Sequence, residues 1–142
     1  MQEFVAAETN THQDHVIAHV IGATVVGYFM WDETAYLLLD IGFIWNIYLD
    51  GEMGLVPQTQ AVNELDAGED FKRALRSDMD AFAQDVEDSV LKQLSIPLSR
   101  SPIQTVDFEQ SGNSRRLVIT CEESTLVVET SLDTAEVQIH EQ

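Results

Sequence analysis

The first seventy residues contain no lysine and no arginine. Twelve carboxylates lie in that stretch, and the remaining residues hold the other thirteen acids with all seven basic side chains, for a formal net charge of −18. Nucleic-acid binding rests on neutralising phosphates with Lys and Arg. The first half cannot do that, and the whole chain would repel a polyanion at long range, so DNA and RNA are disfavoured partners. Anionic lipid surfaces are disfavoured for the same reason.

Cysteine is almost absent too. Cys121 stands alone, which rules out an intramolecular disulfide and with it the secreted, disulfide-stapled scaffold. No long hydrophobic run occurs. The longest apolar stretch, Val20 to Trp31, is interrupted by two glycines and stops at Asp32-Glu33, short of the roughly 20 residues a membrane span requires. Met1-Gln2-Glu3-Phe4 has neither a basic region nor an adjoining apolar stretch, so the expected compartment is the cytoplasm. The H-E-x-x-H, paired-cysteine, G-x-S-x-G, phosphate-loop and EF-hand patterns are all missing.

What is present suits a folded chain. Apolar residues make up 44% of 142, an ordinary globular composition at the size of one domain, taken as residues 1–142. The acidity has two readings: solubility or adaptation to a salty interior, and electrostatic steering towards a cationic partner.

Periodicity points to an α+β fold. Thr11 and Asp14 resemble a capping box, and Val16, Ile17, Val20 and Ile21 recur at helical spacing before Gly22, giving a helix over 12–21. Residues 24–31 are β-branched and aromatic. Between 35 and 50 the odd positions are apolar, which is strand periodicity. A straight strand over 36–49 would run about 46 Å at ~3.3 Å per residue, too long for a domain of this size. A three-residue hairpin loop at Asp40-Ile41-Gly42 resolves this and sets Leu37 opposite Trp45 and Leu39 opposite Phe43. A second turn is expected at Asp50-Gly51, and a short helical turn at 60–66. One long amphipathic helix follows over 69–94, from Phe71, Leu75, Met79, Phe82, Val86, Val90 and Leu94. Residues 95–102 read as a linker, and 103–140 as a C-terminal antiparallel β-meander.

Several constellations could carry function. His12, His15 and His19 fall on one helix edge at spacings that suit a shared Zn²⁺, against the plainer reading of a solvated polar edge. No other cofactor is expected. Cys121 with His140 as base would form a nucleophile pair. Its flanking Glu122 and Glu123 argue instead for a small buried hydrophobe. Lys72, Arg73 and Arg76 read as partners of nearby Glu69, Asp70 and Asp80.

The first sheet is the most suggestive feature. Its even positions include Tyr28, Met30, Tyr36, Asn46 and Tyr48, with Asp40 and Asp50 at its turns, while Phe29, Trp31, Phe43 and Trp45 are odd. A sheet apolar on both faces must be covered on both. The long helix would take one face, and the C-terminal meander or the first helix the other. If the tyrosine face is left open, it is a partner or ligand surface. The sequence therefore leads to a non-enzymatic interaction or inhibitory module, immunity-like, with a basic protein as partner. The alternative is a small-molecule or metal-binding protein, with an enzyme among its forms, using the His12/His15/His19 edge or a pocket beside the first sheet.

Overall fold

The computed structural model describes residues 3–83 and 101–142. The chain is mixed α+β with two antiparallel sheets. The first sheet joins β1 (Val5–Ala6), β6 (Ile103–Ser111), β7 (Ser114–Cys121), β8 (Thr125–Ser131) and β9 (Glu136–Glu141) in that spatial order. The second is a meander of β2 (Val25–Trp31), β3 (Thr34–Leu39), β4 (Phe43–Tyr48) and β5 (Met53–Pro57). Among the described residues three helices complete it: α1 (Thr11–Val20), α2 (Gln58–Asn63) and α3 (Glu69–Ala83). Of the long helix expected over 69–94, α3 covers 69–83; the rest of that expectation, and the linker up to residue 100, lie outside the described residues. No helix among the described residues is long and apolar enough to cross a membrane.

The meander builds two cores because both of its faces are apolar. Leu37, Trp45, Ile47 and Met53 share one buried cluster with Leu117, Ile119 and Val128 of the five-stranded sheet, and Val16 and Val20 of α1 join them. On the other face Phe29, Leu38 and Ile44 pack against Ala61, Val62 and Leu65 of the α2 region and Leu75 and Met79 of α3. The layers are thus sheet, sheet, helices, and removing that much apolar surface from water is what drives them together.

Turn chemistry fixes the register. Leu37 pairs with Trp45 and Leu38 with Ile44, around the loop Asp40-Ile41-Gly42, in which Gly42 takes φ +82°. That left-handed position completes a three-residue hairpin. The next loop repeats the device: Gly51 takes φ +87° and its N–H donates to the Tyr48 carbonyl at 2.9 Å.

Two local readings are corrected. The capping box is Asn10 with Gln13, not Thr11 with Asp14, and the helix runs one residue earlier. The Asn10 side chain accepts from the Gln13 N–H at 2.7 Å, and the Gln13 side chain accepts from the Asn10 N–H at 2.9 Å. The same Gln13 donates to the Gly51 carbonyl at 2.9 Å and is buried, tying the helix start to the β4–β5 loop. Asp14 instead accepts from the Thr9 hydroxyl.

The second correction concerns faces. Tyr28 and Met30 do not share a face with Tyr36 and Tyr48. Trp31 pairs with Thr34 across the two-residue turn Asp32-Glu33, and the register shifts between Val25 and Gly27. A two-residue loop reverses odd-even parity for Tyr28 to Trp31, and the bulge reverses it again only for the residues before it. Phe29 and Trp31 therefore join Tyr36 and Asn46 on the helix side, while Tyr28 faces the shared core.

Candidate binding site

The helix-side face of the meander is not fully covered. Beside α2 and the chain that follows it, at the end of the sheet that carries the Asp32-Glu33 turn, it opens into a pocket of about 280 Å³. Trp31, Tyr36, Asn46 and Tyr48 supply its walls, and Asp32, Glu64 and Asp66 are among its acidic lining. The sequence brought Tyr36, Asn46 and Tyr48 forward as candidates, and the structure unites them. Asp50 joins Tyr48, Asp32 and Glu33 in an adjoining, more open depression. Tyr28 belongs to the other face, near Glu141. Asp40 sits at the opposite end of the meander, where its carboxylate accepts from the Thr24 N–H at 3.0 Å.

Neighbours hold the aromatic walls in place. The Trp31 indole N–H donates to the Asp66 carbonyl at 3.0 Å, and its ring stacks on Phe71 with centroids 4.4 Å apart. Tyr36 lies flat on Phe29 at 4.7 Å, with 6° between the ring planes. Burial pushes the Tyr36 phenol above its ordinary range. The nearby Tyr48 phenol and the Asp32 carboxylate add to this, and a hydrogen bond from Thr34 opposes it. Tyr48 itself is exposed.

Asn46 is the anomaly. It is about nine-tenths buried, yet Oδ1 has no hydrogen-bond partner among the described residues. Leaving a buried amide oxygen unpaired costs about 1–3 kcal/mol, so such groups are rare without a reason.

The electrostatics of this end are one-sided. Among the described residues, neither the pocket nor the depressions flanking the Asp32-Glu33 turn has a Lys or Arg in its lining. The described cations are engaged elsewhere. Arg73 pairs with Asp70 at 3.8 Å, and Arg76 with Glu69 at 4.0 Å. Lys72 donates to the Asn63 carbonyl at 3.0 Å. Arg115 donates to the carbonyls of Gly112 and Ser114. Arg116 binds Glu109 beneath the Phe4 ring. Met30, Tyr48 and Leu132 are exposed around the same turn, giving the acidic rim an apolar centre.

The remaining candidates take ordinary places. The His12 ring nitrogen meets the Met53 carbonyl at 2.9 Å, and the His19 ring meets the His15 carbonyl at 2.7 Å. Among the described residues no group of three or more His, Cys, Asp or Glu is placed to hold a metal ion. Cys121 lies in the shared core, where burial raises its thiol pKa. His140, next to inward-facing Ile139 on β9, projects from the opposite face of that sheet, 3.9 Å from Glu129, so the two cannot act together.

Sequence reasoning missed Trp31, Asp32, Glu33, Glu64 and Asp66 as parts of one site. The polar break Asp32-Glu33 between two apolar runs was the available signal. Glu64 and Asp66 come from the chain after α2, and only the tertiary fold brings them to the sheet. Compared with known proteins, the chain matches no family model, and no curated protein and no solved structure is significantly similar to it.

Proposed function

We propose that the protein is a non-enzymatic interaction module, inhibitory or immunity-like in kind, that receives a basic protein at the end of the meander bearing the Asp32-Glu33 turn. One observation carries the reading: among the described residues, the pocket and the depressions around that turn are lined by aromatic and acidic side chains and by no cation. An apolar centre inside a polar rim is the anatomy of a protein interface. Uncompensated negative charge speeds the encounter with a positive surface and rejects anionic competitors.

The test is a partner isolated from the native cell at low salt, followed by its affinity for two triple variants. Asp32→Asn/Glu33→Gln/Asp50→Asn should weaken binding and flatten its salt dependence, because screening acts on the same charges. Removing three charges elsewhere on the surface, at Glu8, Asp107 and Glu122, should change it little. Equal losses from both triples would mean that only net charge matters. A partner that stays bound at high salt would remove the electrostatic reading.

A further inference from the structure

We propose that the pocket beneath the Asp32-Glu33 turn is a guanidinium site that takes one arginine side chain of the partner. The inference rests on the interaction-module reading and deepens it. Four properties of the pocket converge on that group. Its volume, about 280 Å³, lies below the usual range of drug-sized ligand pockets and suits a single side chain. Its walls are aromatic, and cations favour the faces of such rings. Trp31 and Tyr36 each spend one face on a phenylalanine, Phe71 and Phe29 respectively, so both rings are held in place before a ligand arrives. Preorganisation of this kind reduces what binding must give up in side-chain entropy.

The second property is charge. Asp32, Glu64 and Asp66 stand in the lining, and Glu64 keeps one oxygen free of its 3.1 Å bond from Gln60. A carboxylate can accept two parallel N–H bonds from a guanidinium.

The third is Asn46. The residue lines the pocket, is nine-tenths buried, and has an amide oxygen with no donor among the described residues. A half-turn about its last torsion exchanges oxygen and nitrogen, so the acceptor can be turned towards a bound group. The missing partner is a donor, and a guanidinium carries five.

The fourth separates arginine from lysine. A guanidinium is planar, weakly hydrated and able to stack while it donates, whereas an ammonium is a compact and strongly hydrated point charge. A pocket walled by rings, with its acceptors at the rim and floor, fits the first.

The experiment titrates the full chain with N-acetyl-arginine methylamide, its lysine counterpart and its uncharged citrulline counterpart, at constant ionic strength. Trp31 fluorescence and the side-chain amide resonances of Asn46 report binding. Saturable binding of the arginine probe is expected, with the lysine and citrulline probes about tenfold weaker or more. Asn46→Leu should abolish the arginine response and yet leave the protein at least as stable as wild type, since it removes an unpaired buried amide. Glu64→Gln, at an exposed position, should weaken the arginine probe without affecting folding. No saturable response, equal affinity for lysine, or an unchanged response in Asn46→Leu and Glu64→Gln would each overturn the proposal. If the probes fail while the Asp32/Glu33/Asp50 triple still weakens the protein partner, the guanidinium site falls and the interaction module stands. If the probes bind and no salt-sensitive partner is found, the module reading falls instead.

Discussion

Two glycines occupy equivalent positions in the two three-residue loops of the meander, and their alanine variants should behave differently. Gly42 has φ +82°, and a Cβ there would meet nothing within 4 Å. Gly51 has φ +87°, and its Cβ would stand 2.4 Å from Cζ of Phe108 and 2.7 Å from Cε2. Gly42→Ala therefore meets only the left-handed backbone penalty, about 1–2 kcal/mol. Gly51→Ala adds the displacement of an aromatic ring, for which overpacking typically costs about 1–3 kcal/mol. Phe108 is only partly buried and can swing aside, so the lower part of that range applies, for a total of about 2–4 kcal/mol. At this chain length that lowers the melting temperature by roughly 6–16 °C. Urea unfolding measures both variants, with the midpoint reporting stability and an unchanged m-value confirming the same transition. In a Phe108→Ala background the cost of Gly51→Ala should fall to that of Gly42→Ala, a coupling of about 1–2 kcal/mol. If the two glycine variants cost the same in wild type, or if Phe108→Ala leaves the Gly51 cost unchanged, the ring does not bear on the loop and the packing of the two sheets there is wrong.

Other consequences are as direct. Asn10→Ala should cost about 1 kcal/mol in urea unfolding, because it removes the cap of α1, whereas Thr11→Ala should cost much less. The folded-state pKa values of Tyr36, Tyr28 and Cys121 are all raised, chiefly by burial. Their contribution to stability is therefore complete below the ordinary thiol and phenol ranges and is lost as pH rises through the folded values. The urea midpoint should fall from about pH 8.5 upwards, and Tyr36→Phe should flatten the fall. The Cys121 thiol should resist a thiol reagent in native protein near neutral pH and react at the rate of an unfolded peptide in urea; rapid native labelling would place it outside the core.

Much of the fold was legible because turn chemistry and periodicity agree in it. The Asp40-Ile41-Gly42 loop could be inferred from strand length alone, and it set Leu37 against Trp45 as observed. The covering of both sheet faces followed from their apolar character. β5 was not legible, since Gly54 and Pro57 break its pattern and it forms on the edge of the meander, where a proline can be tolerated. β1 is two residues long, too short for any period to show. The candidate site was half legible. Tyr36, Asn46 and Tyr48 share a parity that sequence can count, but Tyr28 left their face because the two-residue turn between β2 and β3 reverses that parity. The turn Asp32-Glu33 also misleads, because both residues take positive φ, 48° and 62°, without being glycine.

The charge distribution gives a further prediction that separates folding from binding. Among the described residues the arginines of the second half reach only the last two acids of the first, Glu69 and Asp70, through Arg76 and Arg73; Arg115 and Arg116 are held within their own sheet by Gly112, Ser114 and Glu109. Apart from the half-buried Arg116–Glu109 pair, the described ion pairs are exposed, and such pairs contribute about 0–1 kcal/mol each. A net charge of −18 on a domain this small instead repels itself, which destabilises the compact state. Added salt should therefore raise the urea midpoint, mostly below physiological ionic strength, where the screening length is still longer than the spacing of surface charges. The same salt should weaken the partner complex. Opposite slopes in the two measurements, on the same protein over the same salt series, are the expected result. A stability that falls with salt would mean that attractive ion pairs dominate the fold. The acidic end of the meander would then be partly neutralised from within, and it would have no excess field to offer a partner.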